Sequence, residues 1–176
     1  MRRVVVVGVS GAGKSTLARV VAETLGAPYV EMDAIHHQAD WTPLPREEFM
    51  ARLSDLAAGD TWVMDGNYHS ARSTIWSRAD TVVWLDLPRP LVMRQIVVRT
   101  LRRIIRREVL WNGNRERWAN FFTLDPEESV IVWAWTRHSH YREQYTAAMA
   151  DAANAHLRFV RLRSRAEVST FISALR

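Results

Sequence analysis

Gly8-Val9-Ser10-Gly11-Ala12-Gly13-Lys14-Ser15 meets every fixed position of the pattern G-x-x-x-x-G-K-[ST], a loop whose backbone amides cradle phosphate. The residues on either side decide the fold. Arg3-Val4-Val5-Val6-Val7 is a short β-branched run that reads as a buried parallel strand. Residues 14–25 place Leu17, Val20, Val21 and Leu25 at helical spacing, and Gly26 stands behind them as a C-cap. A strand, a glycine-rich turn and a helix follow one another, so the helix N-terminus directs its partial positive charge at the same phosphates. Lys14 is the only lysine of the chain; the other 23 of its 24 basic residues are arginine. An ammonium is compact enough to sit between β- and γ-phosphate oxygens inside such a loop, where a planar guanidinium is too bulky. Gly8, Ser10, Gly11, Ala12, Gly13, Lys14, Ser15 and Thr16 are therefore the expected ATP-binding residues, with the Ser15 hydroxyl directed to Mg²⁺.

The rest of the chain continues the alternation. Strand-like runs recur at 29–32, 61–64, 81–87 and 157–162, with helical patterns between them, including 46–58, a long helix beginning near Leu91 and a second beginning near Asp125-Pro126. Asp125 is expected to cap that second helix, with Pro126 in its first turn and acids behind it. This β-α order predicts one α/β domain over residues 1–176, a parallel sheet with helices covering both faces. Ligands of such sheets bind at the carboxyl ends of the strands, which here carry Gly8, Asp33, Asp65, Leu87 and Arg163.

Composition narrows the chemistry. There are no cysteines among the 176 residues, which excludes disulfides, thiolate metal sites and a thiol nucleophile. No apolar run approaches the roughly 20 residues of a membrane span, and the chain enters a strand at once, so a cytoplasmic location without membrane attachment is expected. The net charge of +5 is uneven. Residues 1–88 hold 8 basic against 11 acidic residues, a net −3, while residues 89–176 hold 16 against 8, a net +8. The second half thus carries an anion-attracting field, which suits a nucleoside triphosphate and also nucleic acid. No helix-turn-helix or other reader motif accompanies it. His36/His37 and His138/His140 lack the i, i+4 spacing and thiolate partners of a zinc site.

Two carboxylates stand at strand ends near the phosphate loop. Asp65, in Trp62-Val63-Met64-Asp65-Gly66-Asn67-Tyr68, is placed to hold Mg²⁺ beside Ser15, although Asp-Gly is also a common turn. Asp33 could accept the proton of an attacking hydroxyl; a loop-capping role or a contact to metal-bound water is the alternative.

The phosphate loop, Asp33-x-x-His36, the Trp62–Tyr68 segment and Val82-Val83-Trp84-Leu85-Asp86-Leu87-Pro88 together resemble the adenylate-kinase-related P-loop kinases. Within them the branch labelled "DNA topology modulation protein" (FlaR-like) is the most similar. The resemblance implies a five-stranded parallel sheet in the order 2-3-1-4-5 with helices on both faces and a small lid near 103–120, and transfer of the γ-phosphoryl of Mg-ATP to a small acceptor. Asp33, His36, Gly66, Asn67, Tyr68 and Arg72 would then bind the acceptor, and Lys14, Asp33, Arg137 and Arg142 would be catalytic. Where those kinases read Asp-Gly-Phe-Pro-Arg, this chain has Asp65-Gly66-Asn67-Tyr68-His69. The acceptor is expected to be a nucleotide, with a hydroxyl compound of the gluconate- or shikimate-kinase kind, served by Asp33, as the alternative. A nucleotide-binding regulator acting on DNA is the rival from another class. Arg99 and Arg103, on a helix that also carries Arg102, Arg106 and Arg107, are expected to reach the triphosphate, with Asn112-Gly113-Asn114 as a hinge before Arg115 and Arg117. A monomer or homodimer is expected.

Overall fold

The computed structural model describes residues 1–126 and 128–175. Five strands, β1 (Arg3–Val7), β2 (Tyr29–Glu31), β3 (Trp62–Asp65), β4 (Thr81–Leu85) and β5 (Arg158–Leu162), form one sheet in the order β2-β3-β1-β4-β5. Every pairing is parallel, with Val6 opposite Asp65, Glu31 opposite Asp65 and Val7 opposite Trp84. The expected topology is thus the observed one.

The apolar runs are continuous because both faces of the sheet are covered. Val5, Val7, Trp62, Met64, Val82 and Trp84 face one core, together with Phe49 and Leu53 of α3 (Arg46–Ala57), Ile75 of α4 (His69–Trp76) and Tyr145 of α7 (Val130–Ala150). Val4, Val6, Val63, Val83 and Leu85 face the other, against Leu17 and Val21 of α1 (Lys14–Leu25) and Val92 and Ile96 of α5 (Arg89–Ile105). Short helices α2 (Met32–His36) and α6 (Trp118–Phe122) lie in the connections, and α8 (Arg165–Ser173) closes the chain.

Helix α1 has the predicted bounds, and the Gly26 amide returns to the carbonyls of Ala22 and Glu23. Its buried stripe is Leu17, Ala18, Val21 and Ala22; Val20 instead turns toward the groove described below. The start of α7 departs from expectation. The helix begins at Val130, where the Ser129 hydroxyl accepts from the Val132 amide, and Asp125 serves a preceding turn whose carbonyl accepts from the Glu128 and Ser129 amides. Ser129, four residues after Asp125, gives the same chemical signal, and it sits where the apolar face begins. Glu127, part of the expected acidic first turn, lies outside the described residues.

The phosphate loop is pressed between β1 and α5. Gly11 has φ +86°, and a Cβ there would stand 2.7 Å from the Ile96 Cβ and 3.1 Å from the Val92 carbonyl. Gly11→Ala should therefore destabilise the protein by about 1–3 kcal/mol, since neither helix backbone nor a packed isoleucine can give way. Urea unfolding of the variant against the parent measures this.

Candidate active site

The carboxyl ends of the strands open into a groove of about 1290 Å³. The loop after β1 lines its floor. No side chain caps the start of α1, where Gly13 stands in the left-handed region, so the first amides of that helix are left for an anion. Gly8 is held from outside: the Asn67 amide donates to its carbonyl at 2.6 Å and accepts from its N–H at 3.1 Å. The Tyr145 hydroxyl donates to the same Asn67 oxygen at 2.9 Å. Ser10, Gly11, Ala12, Gly13, Lys14, Ser15 and Thr16 all line the groove, while Gly8 lies behind it.

Burial of its ammonium lowers the pKa of Lys14, and the charges of Asp33, Asp65 and Glu31 oppose that shift, Asp33 most strongly. Three acids at or just beyond strand ends thus oppose the loss of the lysine's proton in a desolvated place. Asp65, at the end of β3, is buried and accepts from the Ser15 hydroxyl at 2.7 Å and the Tyr29 hydroxyl at 3.1 Å. Burial pushes its pKa up to about 6, against the pull of the Ser15 hydrogen bond and of Lys14. A hydroxyl and a carboxylate side by side are hard oxygen donors of the kind Mg²⁺ takes. Among the described residues no group of three or more His, Asp or Glu is arranged to hold a metal alone. That suits an ion whose remaining ligands are phosphate and water, so Ser15 and Asp65 fit the expected metal.

Asp33 lies one residue into α2, so β2 stops two residues before it and its carboxylate enters the groove from a helix. The Tyr68 hydroxyl donates to its Oδ1 at 2.8 Å. Burial and the Asp33 charge raise the Tyr68 pKa, so the phenol stays a donor. His36 packs against Phe49, Tyr68 and His37, and burial lowers the pKa of both histidines toward the neutral form. Trp41, Trp111 and Tyr141 complete an aromatic wall on this side.

Arginines enter from α5 and the lid. The Arg99 Nε is buried with no hydrogen-bond partner among the described residues, and burial, with Arg103 nearby, lowers its pKa to about 10. Arg103 pairs with Glu116 at 3.0 Å. Both line the groove, and so do Arg102 and Arg117.

Two expected residues are directed elsewhere. The Arg142 Nε donates to Asp86 at 2.8 Å, and Arg161 shares that carboxylate at 2.6 Å; Asp86 is buried, so both guanidiniums neutralise it. Arg72 lies over the rings of Trp76 and Tyr145, beside a separate cavity of about 10 Å³. Neither borders the groove. Arg137 lies over Trp133, which does border it. Gly66 lines the groove with φ +151°, where a Cβ would meet the Met32 side chain at 2.8 Å. Asn67 reaches the groove, but its amide serves Gly8.

Glu31, unremarked in the sequence, belongs to the site. The last residue of β2, it accepts from Ser15 at 3.4 Å and pairs with Arg19 at 2.8 Å. Its position at a strand end beside Asp65 was the available signal. The expected hinge at residues 112–114 is instead a bridge. Asn112 and Asn114 hydrogen-bond across to residues 34–41.

The fold is shared with kinases of known structure. A family model described as "ATPase family associated with various cellular activities (AAA)" matches residues 4–61, which hold β1, the phosphate loop, α1 and α3. A shikimate kinase of Synechococcus elongatus is 29% identical in an alignment covering 64% of this chain and 70% of the relative. Among solved structures, a shikimate kinase from Acinetobacter baumannii in complex with shikimate superposes with a TM-score of 0.55 at 16% identity, covering 99% of this chain and 90% of that one. A gluconokinase from Sinorhizobium meliloti gives 0.51 at 18% identity, covering 99% and 95%. The likeness is to P-loop kinases broadly and does not single out the adenylate-kinase or FlaR-like branch. No helix among the described residues is long and apolar enough to cross a membrane.

The raised Asp65 pKa has a signed consequence. Between about pH 4 and pH 6 the folded protein retains a proton that the unfolded chain has released, so this group makes stability fall as pH rises through that window. Asp65→Asn lacks the titration. Its stability relative to the parent should rise by on the order of 1–3 kcal/mol from pH 4 to pH 6.5 without metal, read from urea unfolding at each pH. A constant difference across that range would show that Asp65 titrates normally.

Proposed function

We propose that this protein is an ATP-dependent kinase that transfers the γ-phosphoryl of Mg-ATP to a hydroxyl of a small molecule. The observation that carries this reading is the Asp33 carboxylate, held by Tyr68 in the same groove as Lys14 and acting on it more strongly than any other acid. A phosphate acceptor is already anionic and has no use for a base, whereas an alcohol does. The shikimate kinase and gluconokinase likenesses point the same way, so the hydroxyl reading displaces the expected nucleotide acceptor.

In this reading the loop amides and Lys14 bind the β- and γ-phosphates, and Arg99 neutralises charge that shifts during transfer. Ser15 and Asp65 would hold Mg²⁺, whose charge would offset that of the phosphates. Tyr68 fixes Asp33 through Oδ1, leaving Oδ2 to take the acceptor proton. The acceptor oxygen then bonds the γ-phosphorus as the bond to the bridging oxygen breaks and ADP departs. Catalysis is mostly positioning and charge neutralisation. Against the DNA-binding reading stand the partners of the basic half: Arg142 and Arg161 are engaged by Asp86, and Arg102 and Arg103 by Glu108 and Glu116.

Lys14→Ala should abolish transfer and weaken ATP binding, and Lys14→Arg should fail nearly as badly because the fork overfills the loop. ATP calorimetry with both variants tests this; activity within a few-fold of the parent would remove the assignment.

Asp33→Asn separates acceptor classes. For a hydroxyl acceptor, turnover should fall about 10²–10⁴-fold with ATP affinity preserved. A screen of ATP consumption over polyols, sugar acids, nucleosides and monophosphates supplies the acceptor for that measurement. A small loss, or one confined to acceptor KM, would restore the nucleotide reading.

A further inference from the structure

We propose that Asn112 and Asn114 of the lid are positioning residues that hold the segment carrying Asp33 and His36, so that lid and acceptor-side segment move as one unit; its catalytic meaning rests on the kinase reading above. The unit is built from side-chain amides. Helix α2 has only five residues, too short to be stable alone, and its last carbonyls need donors. The Asn112 amide supplies them from the lid, donating to the Ala34 carbonyl at 3.2 Å and the His37 carbonyl at 2.6 Å. Asn114 is buried and uses both ends of its amide: it donates to the Gln38 carbonyl at 2.7 Å and accepts from the Trp41 N–H at 2.9 Å. The Trp41 indole donates to the Arg115 carbonyl at 3.3 Å, and the His37 and Trp111 rings stack with centroids 5.8 Å apart.

The backbone has been shaped for this contact on both sides. Asp40, Trp41 and Asn112 occupy the left-handed region at φ 55°, 58° and 54°, a conformation that persists where surrounding contacts over-determine it. The Leu110 N–H closes the lid turn on the Asn114 carbonyl at 2.7 Å, and the Gln38 N–H closes the facing turn on the Thr42 carbonyl at 2.8 Å. Each turn is completed by the other. The unit carries Asp33 at one end and the Arg103–Glu116 pair at the other, so displacement of the lid withdraws support from the helix that presents the base. Closure over the nucleotide and presentation of the base become one event, which disfavours transfer to water.

Amide hydrogen exchange of the full chain, with and without Mg²⁺ and the non-hydrolysable analogue AMP-PNP, tests this with Asn112→Gly and Asn114→Ala. Position 112 is exposed and its φ suits glycine, so Asn112→Gly removes the amide while leaving the fold intact. Without ligand, amides of residues 33–42 should exchange about tenfold faster in both variants, in step with residues 110–117, while β3 keeps its parent rates. With AMP-PNP, protection should spread to both segments in the parent and only to 110–117 in the variants. Parent rates over 33–42 while the lid has accelerated would overturn the proposal. Absence of AMP-PNP binding to the parent would count against the kinase reading alone, because the ligand-free comparison still decides the coupling.

Discussion

Three carboxylates at or just beyond the ends of two neighbouring strands make the groove possible. Lys14, Arg99, Arg103 and the positive end of α1 converge on one desolvated space, an arrangement that would repel itself or lose protons if left alone. Glu31, Asp33 and Asp65 raise the pKa of Lys14 against its burial, and Lys14 with Ser15 in turn restrains the pKa of Asp65. The balance depends on register. Glu31 and Asp65 are paired across β2 and β3, and Asp65 is paired with Val6 just before the phosphate loop, so a slip of one residue would turn the acids to the opposite face. The parallel sheet is therefore an electrostatic device as much as a scaffold. It places acids and loop on one edge while its valines and tryptophans form two cores.

Much of this was legible in the chain. The motif, the strand before it and the helix from Lys14 to Leu25 could be read closely because each feature is local: glycine spacing, β-branched runs, a 3.6-residue period and a terminal glycine. A parallel sheet followed from β-α alternation, and its strand order from the resemblance to P-loop kinases. What escaped were contacts between residues far apart in sequence. Asn67 looked like an acceptor ligand, yet its amide is bound to Gly8, 59 positions away. Arg142 had the right charge for catalysis, but a buried Asp86 lies nearer and neutralises it. Asn112 and Asn114 suggested mobility because asparagine and glycine favour turns; the same side chains become cross-links when a second turn offers them carbonyls. Short polar side chains carry no periodic signature of their partners.

The solitary lysine gives the molecule an unusual chemical address. Every other side-chain cation is a guanidinium, so apart from the chain's first residue the Lys14 Nζ is the protein's one amine. Desolvation leaves that amine less tightly protonated than an ordinary lysine, which makes it a better nucleophile toward acylating or carbamylating reagents. Covalent labelling, natural or experimental, would thus fall on the floor of the phosphate loop instead of being spread over the surface. A bound phosphate would shield that atom. The composition of the chain has turned its binding loop into a built-in reporter of its own occupancy.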